Sequence, residues 1–325
     1  VKGVDSIKAL KYEHNQNAKC YIFSSRTLRM MIKNYEESRE EFINDFDMRP
    51  IDLIPMLKIG SIIIDETHQH FNSIFKILLH TNVKYHLGLS ATLFSDNYIV
   101  RRTQRLVYDS ENVFKDFEYD RYIDVYALSY TIDPSIIRKI RTTSFGSNKY
   151  SHIEFEKSIL RNEKLIESYY LIMKEVIDYL FIDEYKKNDK ILIFVSTVRM
   201  ADEILSRLRR DYIHKGFKIS RYVEDDPYEN LIGSDMVVST IISSGTAVDI
   251  KDLRMVLMSV CINSTVSNFQ ALGRLRKLSD RDTKFVYIYS DSIPKHISYH
   301  IYKRSIFMPK VKSIIEKRIG RTLKI

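Results

Sequence analysis

Short apolar runs alternate with helix-like segments along the chain. Ser61–Ile64 ends in three consecutive isoleucines, a composition typical of a strand that is covered on both faces of a parallel sheet. Further strands are predicted at residues 20–23, 85–89, 123–132, 191–195, 236–238, 255–258 and 285–289, and helices at residues 51–57, 71–79, 153–181 and 198–210. Strands that alternate with helices predict βαβ units and therefore an α/β fold with parallel sheets.

The chain is long enough for two domains, because 325 residues exceed the size of one ordinary hydrophobic core. Residues 133–149 are polar and irregular, and we place the boundary just before them, between residues 120 and 130. This predicts one domain at residues 1–125, a second at residues 126–295 and a basic C-terminal helix at residues 296–325. The basic helix either binds nucleic acid or docks with a solvated face, since its isoleucines recur at helical spacing: Ile314, Ile315 and Ile319.

The overall charge indicates a polyanionic partner. The formal net charge is +9, which favours nucleic acid, although a generally basic surface would give the same count. No apolar run approaches the ~18 residues of a membrane span, so we expect a soluble, monomeric protein. Cys20 and Cys261 lie in apolar, strand-like segments. We expect both to be reduced core residues in a cytoplasmic protein rather than a disulfide or metal pair.

Two adjacent carboxylates follow the isoleucine strand. Ligands of open parallel sheets bind beyond the carboxyl ends of the strands, so Asp65 and Glu66 are predicted to lie at that edge. Asp65 is suited to hold Mg²⁺ through water, and Glu66 is suited to deprotonate the water that attacks the γ-phosphate of ATP. An isolated Asp-Glu pair is more often a helix cap or a surface pair. The preceding strand favours catalysis, and we expect His68 to link the nucleotide site to the second domain.

Ser90 and Thr92 follow the next predicted strand. Hydroxyls at positions i and i+2 can bond His68 or the two carboxylates, and can thereby couple the nucleotide state to a nucleic-acid groove. A helix cap is the alternative, because Ser and Thr are favoured there.

A loop rich in Ser and Thr follows the strand at residues 236–238. Gly245 permits a close backbone approach to a phosphate or ribose, and Asp249 is suited to orient an arginine or the ribose. Thr240 and Ser243 are predicted to contact the nucleic-acid backbone, a type of contact that fixes register without reading sequence. The alternative is an ordinary turn.

The segment from Gln270 to Lys277 is predicted to begin a helix. Arg274 lies four residues beyond Gln270 and hence on the same helical face. Its guanidinium can neutralise charge on the γ-phosphate, and Arg276 or Lys277 is the next cation along the chain. A solvated charged helix is the alternative.

Ser24 and Thr197 each end a predicted strand, one in each domain. Both are placed to donate hydrogen bonds to phosphates of one bound nucleic-acid strand.

Taken in order, these segments resemble the motor of a superfamily 2 helicase of the DExH type. Asp65-Glu66-Thr67-His68 resembles motif II, and Ser90-Ala91-Thr92 resembles motif III. Residues 193–197, 240–249 and 270–277 resemble motifs IV, V and VI. The resemblance covers about residues 1–289 and points to the viral branch, which includes phage early DNA helicases and the poxvirus transcript-release DNA helicase. It implies two RecA-like domains that hydrolyse ATP with Mg²⁺ to translocate on DNA or remodel it, in a host cytoplasm.

Two features depart from that family. The family usually has Arg at the position of Lys277, and Arg276 is displaced by one residue, so the identity of the arginine finger stays open; Arg and Lys are not interchangeable there. No Gly-Lys-Ser or Gly-Lys-Thr occurs in the sequence, so a P-loop for the β- and γ-phosphates is lacking. We therefore expect a first RecA-like domain that is incomplete at its N-terminus by roughly 100 residues, since such a domain has about 150.

The lack of a P-loop predicts that the 325-residue chain alone binds ATP poorly and is inactive. Backbone N–H groups of the P-loop normally supply most contacts to the phosphates. Isothermal titration calorimetry with Mg-ATP tests this prediction. A dissociation constant in the micromolar range would contradict it.

An ATP-independent nucleic-acid binding or strand-annealing module on a decayed helicase scaffold is the alternative function. It would retain Asp65, Glu66 and Arg274 without use. DNA is favoured over RNA by the family resemblance alone. Unwinding polarity stays open, as does the choice among fork unwinding, branch migration and transcript release. Sequence-specific recognition is not expected, because nothing in the sequence resembles a base-reading helix or finger.

Overall fold

The computed structural model describes residues 2–4, 18–67, 71–81, 83–90, 97–114, 120–144, 146, 148–223, 225–241 and 249–325. The chain divides into two compact units, Val1–Phe117 and Glu118–Ile325. This division lies a few residues before the predicted boundary between residues 120 and 130. The strand Ile123–Ile132 belongs wholly to the second unit, because it pairs on both sides with strands of that unit. No described helix is long and apolar enough to cross a membrane.

The described part of the first unit contains two pairs of short parallel strands and several helices. Its elements are β1 (Lys2–Val4), β2 (Tyr21–Phe23), α1 (Ser25–Glu37), α2 (Arg39–Phe46), a 3₁₀ turn (Pro50–Asp52), α3 (Leu53–Met56), β3 (Ser61–Ile64), α4 (Phe71–Thr81), β4 (Tyr85–Gly88), α5 (Tyr98–Val107) and a 3₁₀ turn (Ser110–Asn112). β1 pairs with β2 and β3 pairs with β4, both in parallel. A small apolar core forms where the helices meet, and it contains Met31, Ile32, Phe42, Leu53 and Ile77.

Two expectations about burial in the first unit are wrong. β3 forms as predicted, but its side chains are not covered on both faces, and Ile63 is 67% exposed. Among the described residues β3 pairs only with β4, so it also has one unpaired edge. Cys20 precedes β2 instead of lying within it and is exposed, whereas Cys261 is buried; both are free thiols.

The second unit is built on a parallel sheet with helices on both faces. Its elements are β5 (Ile123–Ile132), α6 (Pro134–Ile137), α7 (His152–Ile159), α8 (Glu163–Ile177), a π turn (Asp178–Ile182), β6 (Lys190–Val195), α9 (Val198–Tyr212), a 3₁₀ turn (Ile213–Lys215), β7 (Ile219–Tyr222), α10 (Tyr228–Gly233), β8 (Met236–Thr240), β9 (Leu253–Met258), α11 (Thr265–Leu272), β10 (Thr283–Ser290), α12 (Pro294–Phe307) and β11 (Ser313–Leu323).

Over the described residues this sheet has seven strands in the order β11-β5-β10-β9-β6-β8-β7, and every pairing is parallel. Alternate residues of β6 face opposite sides of the sheet. Ile191 and Ile193 pack into one apolar cluster, and Leu192 and Phe194 pack into the other. The predicted parallel α/β architecture is thus confirmed, with a core on each face of the sheet.

The single long helix predicted at residues 153–181 is in fact two helices and a π turn. α7 ends at Ile159, and Asn162 begins α8 by accepting hydrogen bonds from the N–H groups of Lys164 and Leu165, at 2.9 and 3.3 Å. Asn is a preferred N-cap residue because its side-chain oxygen satisfies otherwise unpaired helix N–H groups. The break sets α7 and α8 as separate elements, both packed on the sheet core.

The basic helix predicted for the C-terminal segment is wrong beyond Phe307, because residues 313–323 form the edge strand β11. The β-branched isoleucines that recur there fit a strand better than a helix. Two of the three cations of β11 are paired with acidic residues of the same unit: Arg321 Nε lies 3.1 Å from Glu175, and Arg318 Nη2 lies 3.5 Å from Asp291. The third, Lys317, donates to the Tyr179 hydroxyl at 3.2 Å. The segment is therefore a docked strand, and not a free basic arm.

Candidate functional site

The Asp65–Glu66 turn directly follows the carboxyl end of β3, as the sequence predicts. Asp65 is exposed and Glu66 is half-buried, with one carboxylate oxygen of Glu66 fully buried. The Asp65 Oδ1 atom accepts a hydrogen bond from the Glu66 backbone N–H at 2.9 Å. Glu66 adopts a positive φ of 50°, a strained conformation for a residue with a Cβ that tends to occur at functional sites.

A buried threonine and a tyrosine tie this turn to the end of β4. Thr67 N–H donates to the Leu89 carbonyl at 2.9 Å, and Leu89 N–H donates to the Ile64 carbonyl at 2.8 Å. The Thr67 and Tyr108 hydroxyls are 3.1 Å apart. Burial raises the pKa of Tyr108, and the hydrogen bond from Thr67 partly opposes this rise. These contacts hold together the two loops that were predicted to carry nucleotide chemistry and coupling.

Tyr108 approaches Gly88 so closely that the strand end has no room for a side chain. A Cβ on Gly88 would lie 2.5 Å from the Tyr108 hydroxyl and 3.0 Å from Thr67 Cγ2. We expect Gly88→Ala to destabilise the first unit by about 1–3 kcal/mol, the usual effect of overpacking. Gly60→Ala is the matched control, because nothing lies within 4 Å of a Cβ there. Urea unfolding followed by circular dichroism checks this prediction, and equal stability of the two variants would contradict it.

Ser90 follows Leu89 and is half-buried, so it stands next to the hydrogen bonds that join the two loops. His68 and Thr92 lie outside the described residues, as do Gly245 and Ser243. Their roles therefore stay predictions. The same holds for Thr240, which the structure places as a buried residue at the end of β8.

Ser24 and Thr197 occupy equivalent positions, each one as the N-cap of the helix after a strand. The exposed Ser24 hydroxyl accepts from Arg26 N–H at 3.2 Å. The Thr197 hydroxyl accepts from Met200 N–H at 3.2 Å and donates to Glu156 Oε2 at 2.9 Å. Both therefore fulfil the helix-capping role typical of Ser and Thr, and Thr197 is also joined to a carboxylate.

Glu156 was not identified from the sequence, because a glutamate in an amphipathic helix ordinarily faces solvent. It lies on α7 with its side chain fully buried. Its Oε1 accepts from Ser196 N–H at 2.7 Å, and its Oε2 accepts from the Thr197 hydroxyl. Burial raises the pKa of Glu156 to about 7, and the hydrogen bonds from Ser196 and Thr197 oppose this rise.

The helix predicted to begin at Gln270 instead begins at Thr265 and ends at Leu272, as α11. Ser264 begins this helix by accepting from Ser267 N–H at 3.2 Å, which fixes its first turn upstream of Gln270. Arg274 therefore lies past the helix end, and the prediction that it shares a helical face with Gln270 is wrong. Arg274 is 9% exposed.

Arg276 and Lys277 are exposed, and each forms an ion pair with an acidic residue. Arg276 Nε lies 3.6 Å from Asp249 Oδ1, which is the kind of arginine contact predicted for Asp249. Lys277 Nζ donates to Asp120 Oδ2. Pairs exposed to this degree contribute little stability, about 0–1 kcal/mol.

The donor set near β3 fits a magnesium ion that arrives with a nucleotide. No group of three or more His, Cys, Asp or Glu residues able to hold a metal occurs in the described part of the chain. Mg²⁺ usually needs only one or two carboxylates, since waters and substrate phosphates complete its coordination. The exposed Asp65 can supply one such carboxylate.

Comparisons with known proteins identify the fold. No family model matches the sequence, and no curated protein matches it. Among solved structures, the chain is similar to Dbp5 L327V of S. cerevisiae bound to RNA and ADP BeF3, with 12% identity, a TM-score of 0.56 and coverage of 95% of this chain and 68% of Dbp5. It is also similar to the Mycobacterium smegmatis helicase Lhr bound to ssDNA and AMP-PNP, with 14% identity, a TM-score of 0.52 and coverage of 95% of this chain and 36% of Lhr.

At these identities the likeness is one of fold. The chain has the RecA-like α/β fold of these proteins, in agreement with the parallel sheet and its two apolar cores. It spans only about a third of the length of Lhr.

Proposed function

We propose that this chain is part of an ATP-dependent nucleic-acid helicase or translocase of superfamily 2, of the DExH type. The observation that carries the proposal is the Asp65–Glu66 turn. It joins an exposed carboxylate to a half-buried one at the end of a parallel strand, and Thr67 ties it to the neighbouring strand end. Similarity of fold to a helicase supports the proposal.

The two carboxylates, the Ser90 loop and the three cations have distinct roles in this proposal. Asp65 would hold Mg²⁺ through water, and the ion would supply charge neutralisation at the phosphates of ATP. Glu66 orients the attacking water and accepts its proton. Thr67 and Tyr108 hold the turn that carries Glu66 against the loop that carries Ser90. Hydrolysis of ATP at the turn can thereby alter the position of that loop. Arg274 stabilises the charge that develops on the γ-phosphate, with Arg276 and Lys277 as the other candidate cations.

We further propose that the nucleic acid is double-stranded or branched DNA, bound through its phosphates. The net charge of +9 favours a polyanion, and Lhr is bound to ssDNA whereas Dbp5 is bound to RNA. The preference for DNA rests on the resemblance to viral DNA helicases.

The test is Mg-ATP hydrolysis by the full-length gene product, measured without nucleic acid, with branched DNA and with RNA of the same sequence. Turnover stimulated more by DNA than by RNA is expected. Stimulation by RNA alone would contradict the choice of DNA but would still support an ATP-dependent motor. Failure of any turnover, with DNA still bound, would favour the strand-annealing module instead.

A further inference from the structure

The buried carboxyl group of Glu156 contacts Ser196 and Thr197, where the sequence predicts that a nucleic-acid phosphate binds. Among the described residues it forms no ion pair with lysine or arginine. The basic side chain within 4 Å is His152, whose Nε2 is 3.8 Å from Glu156 Oε1. Its carboxylate is bound instead by two donors of the Ser196–Thr197 corner, the N–H of Ser196 and the hydroxyl of Thr197. A nucleic-acid phosphate bound at this corner would need donors of the same kind.

The direction of the Thr197 hydrogen bonds determines what this corner can bind. The hydroxyl has one hydrogen. Its oxygen accepts from Met200 N–H, and its hydrogen goes to Glu156 Oε2. While Glu156 is ionised, Thr197 therefore has no hydrogen to donate to a phosphate oxygen. The negative charge of Glu156 also repels a phosphate.

The surroundings of Glu156 are a network of neutral side chains with defined hydrogen positions. His152 Nδ1 accepts from Cys261 N–H at 3.2 Å, and His296 Nδ1 accepts from Ser290 N–H at 3.0 Å. Both histidines are therefore inferred to carry their hydrogen on Nε2. The Tyr150 hydroxyl joins them, because it accepts from His296 Nε2 and donates to His152 Nδ1.

The two histidines of this network do not themselves titrate near neutral pH. Burial lowers the pKa of His152 far below its usual value and that of His296 to about 3. The ionisable groups that face Glu156 or this network from its own helix and from the neighbouring elements are Tyr150, His152, Tyr169, Cys261, His296 and Lys303. Burial raises the pKa of Cys261 to about 11 and lowers that of Lys303 to about 8.

We propose that Glu156 controls whether Thr197 binds a nucleic-acid phosphate, and that phosphate binding at this corner takes up one proton on Glu156. The proton adds to Oε2, and the new O–H donates to Thr197 Oγ. The Thr197 hydrogen is then released to donate to the phosphate, while Oε1 continues to accept from Ser196 N–H. Burial of Glu156, which raises its pKa to about 7, makes this exchange accessible near neutral pH. The inference rests on the proposed nucleic-acid function.

Two variants of the chain separate this role from a merely structural one. In Glu156→Gln the amide Nε2 donates to Thr197 Oγ and the amide oxygen accepts from Ser196 N–H, so the variant resembles protonated Glu156. Glu154→Gln is the matched control, because it removes the same charge from the same helix at a side chain that pairs with Lys157 instead.

Affinity for a labelled single-stranded oligothymidylate is measured by fluorescence anisotropy between about pH 6 and pH 9. Wild-type affinity is expected to fall as pH rises through about 7, by up to about tenfold per pH unit. Glu154→Gln should keep this slope. Glu156→Gln should lose it and bind more tightly than wild type at the alkaline end. An equal slope in Glu156→Gln would overturn the inference.

Proton uptake by the wild-type chain gives a second readout that needs no variant. Calorimetric titration with the same oligonucleotide in two buffers of different ionisation enthalpy, slightly above neutral pH, should show uptake approaching one proton. Binding with no proton uptake would overturn the inference and leave the proposed function intact. Failure to bind the oligonucleotide at any pH would overturn the inference, whereas the proposed function is decided separately by ATP hydrolysis with branched DNA.

Discussion

Glu66→Gln in the full-length gene product is expected to lower kcat for ATP hydrolysis by about 10²–10⁴-fold, the usual contribution of a positioned general base. Glutamine keeps the size of the side chain but cannot accept the proton of the attacking water. The backbone N–H of residue 66, which donates to Asp65 Oδ1, is retained, so the turn should keep its shape. KM for ATP should change by no more than a few-fold, because Glu66 acts on water and not on the nucleotide.

Turnover measured with saturating Mg-ATP and DNA checks this result. Glu40→Gln is the control, because Glu40 is an exposed acid of the same unit on α2. It should hydrolyse ATP at the wild-type rate. If the Glu66→Gln variant retained full kcat, Glu66 would not be the general base of the reaction.

Asp189→Ala is expected to have the largest effect on stability, a loss of about 3–5 kcal/mol from the free energy of unfolding of the second unit. Asp189 is fully buried just before β6. It lies 3.2 Å from Arg254 Nη1 and 2.9 Å from Arg281 Nη2, and it accepts from Lys186 N–H at 3.0 Å. Its removal leaves two guanidinium groups buried without this counter-charge. The other acid near Arg254, Glu184, is half-exposed.

Differential scanning calorimetry of the 325-residue chain measures this effect. At about 2–4 °C per kcal/mol for a unit of this size, the melting temperature of the second unit should fall by roughly 6–20 °C. Asp280→Ala is the control, because Asp280 is 56% exposed where it pairs with Lys186 and Arg281, and such pairs contribute at most about 1 kcal/mol. Similar melting temperatures for the two variants would contradict a special role for the buried charge.

Features that depend on local sequence could be predicted. The Ser61–Ile64 strand and the carboxylates after it follow from a run of β-branched residues and their direct neighbours, and the strand is where the pattern indicated. Thr197 could be placed at a strand end for the same reason. The parallel α/β fold followed from the alternation of such segments.

Features that depend on distant contacts could not be predicted. Tyr108 meets Thr67 across 41 positions, and Glu156 meets Ser196 across 40. Neither residue is distinguished by its own neighbours in sequence. The spacing of the C-terminal isoleucines favours a helix, whereas their β-branched side chains and the pairing of this segment with β5 favour a strand. The pairing with β5, which lies far away in sequence, decides between these two local preferences.

The position of β11 has a consequence for the order in which the second unit can form. β5 lies between β10 and β11, and the hydroxyl of Ser313 on β11 bonds Asp124 on β5 across 189 positions. During synthesis, β5 therefore emerges long before its outer partner and keeps one edge of backbone N–H and C=O groups unpaired. An open strand edge of that kind recruits other chains, and pairing over such a separation is slow to form. The nascent chain consequently passes through an aggregation-prone stage that ends only after residues 313–323 have left the ribosome and paired with β5.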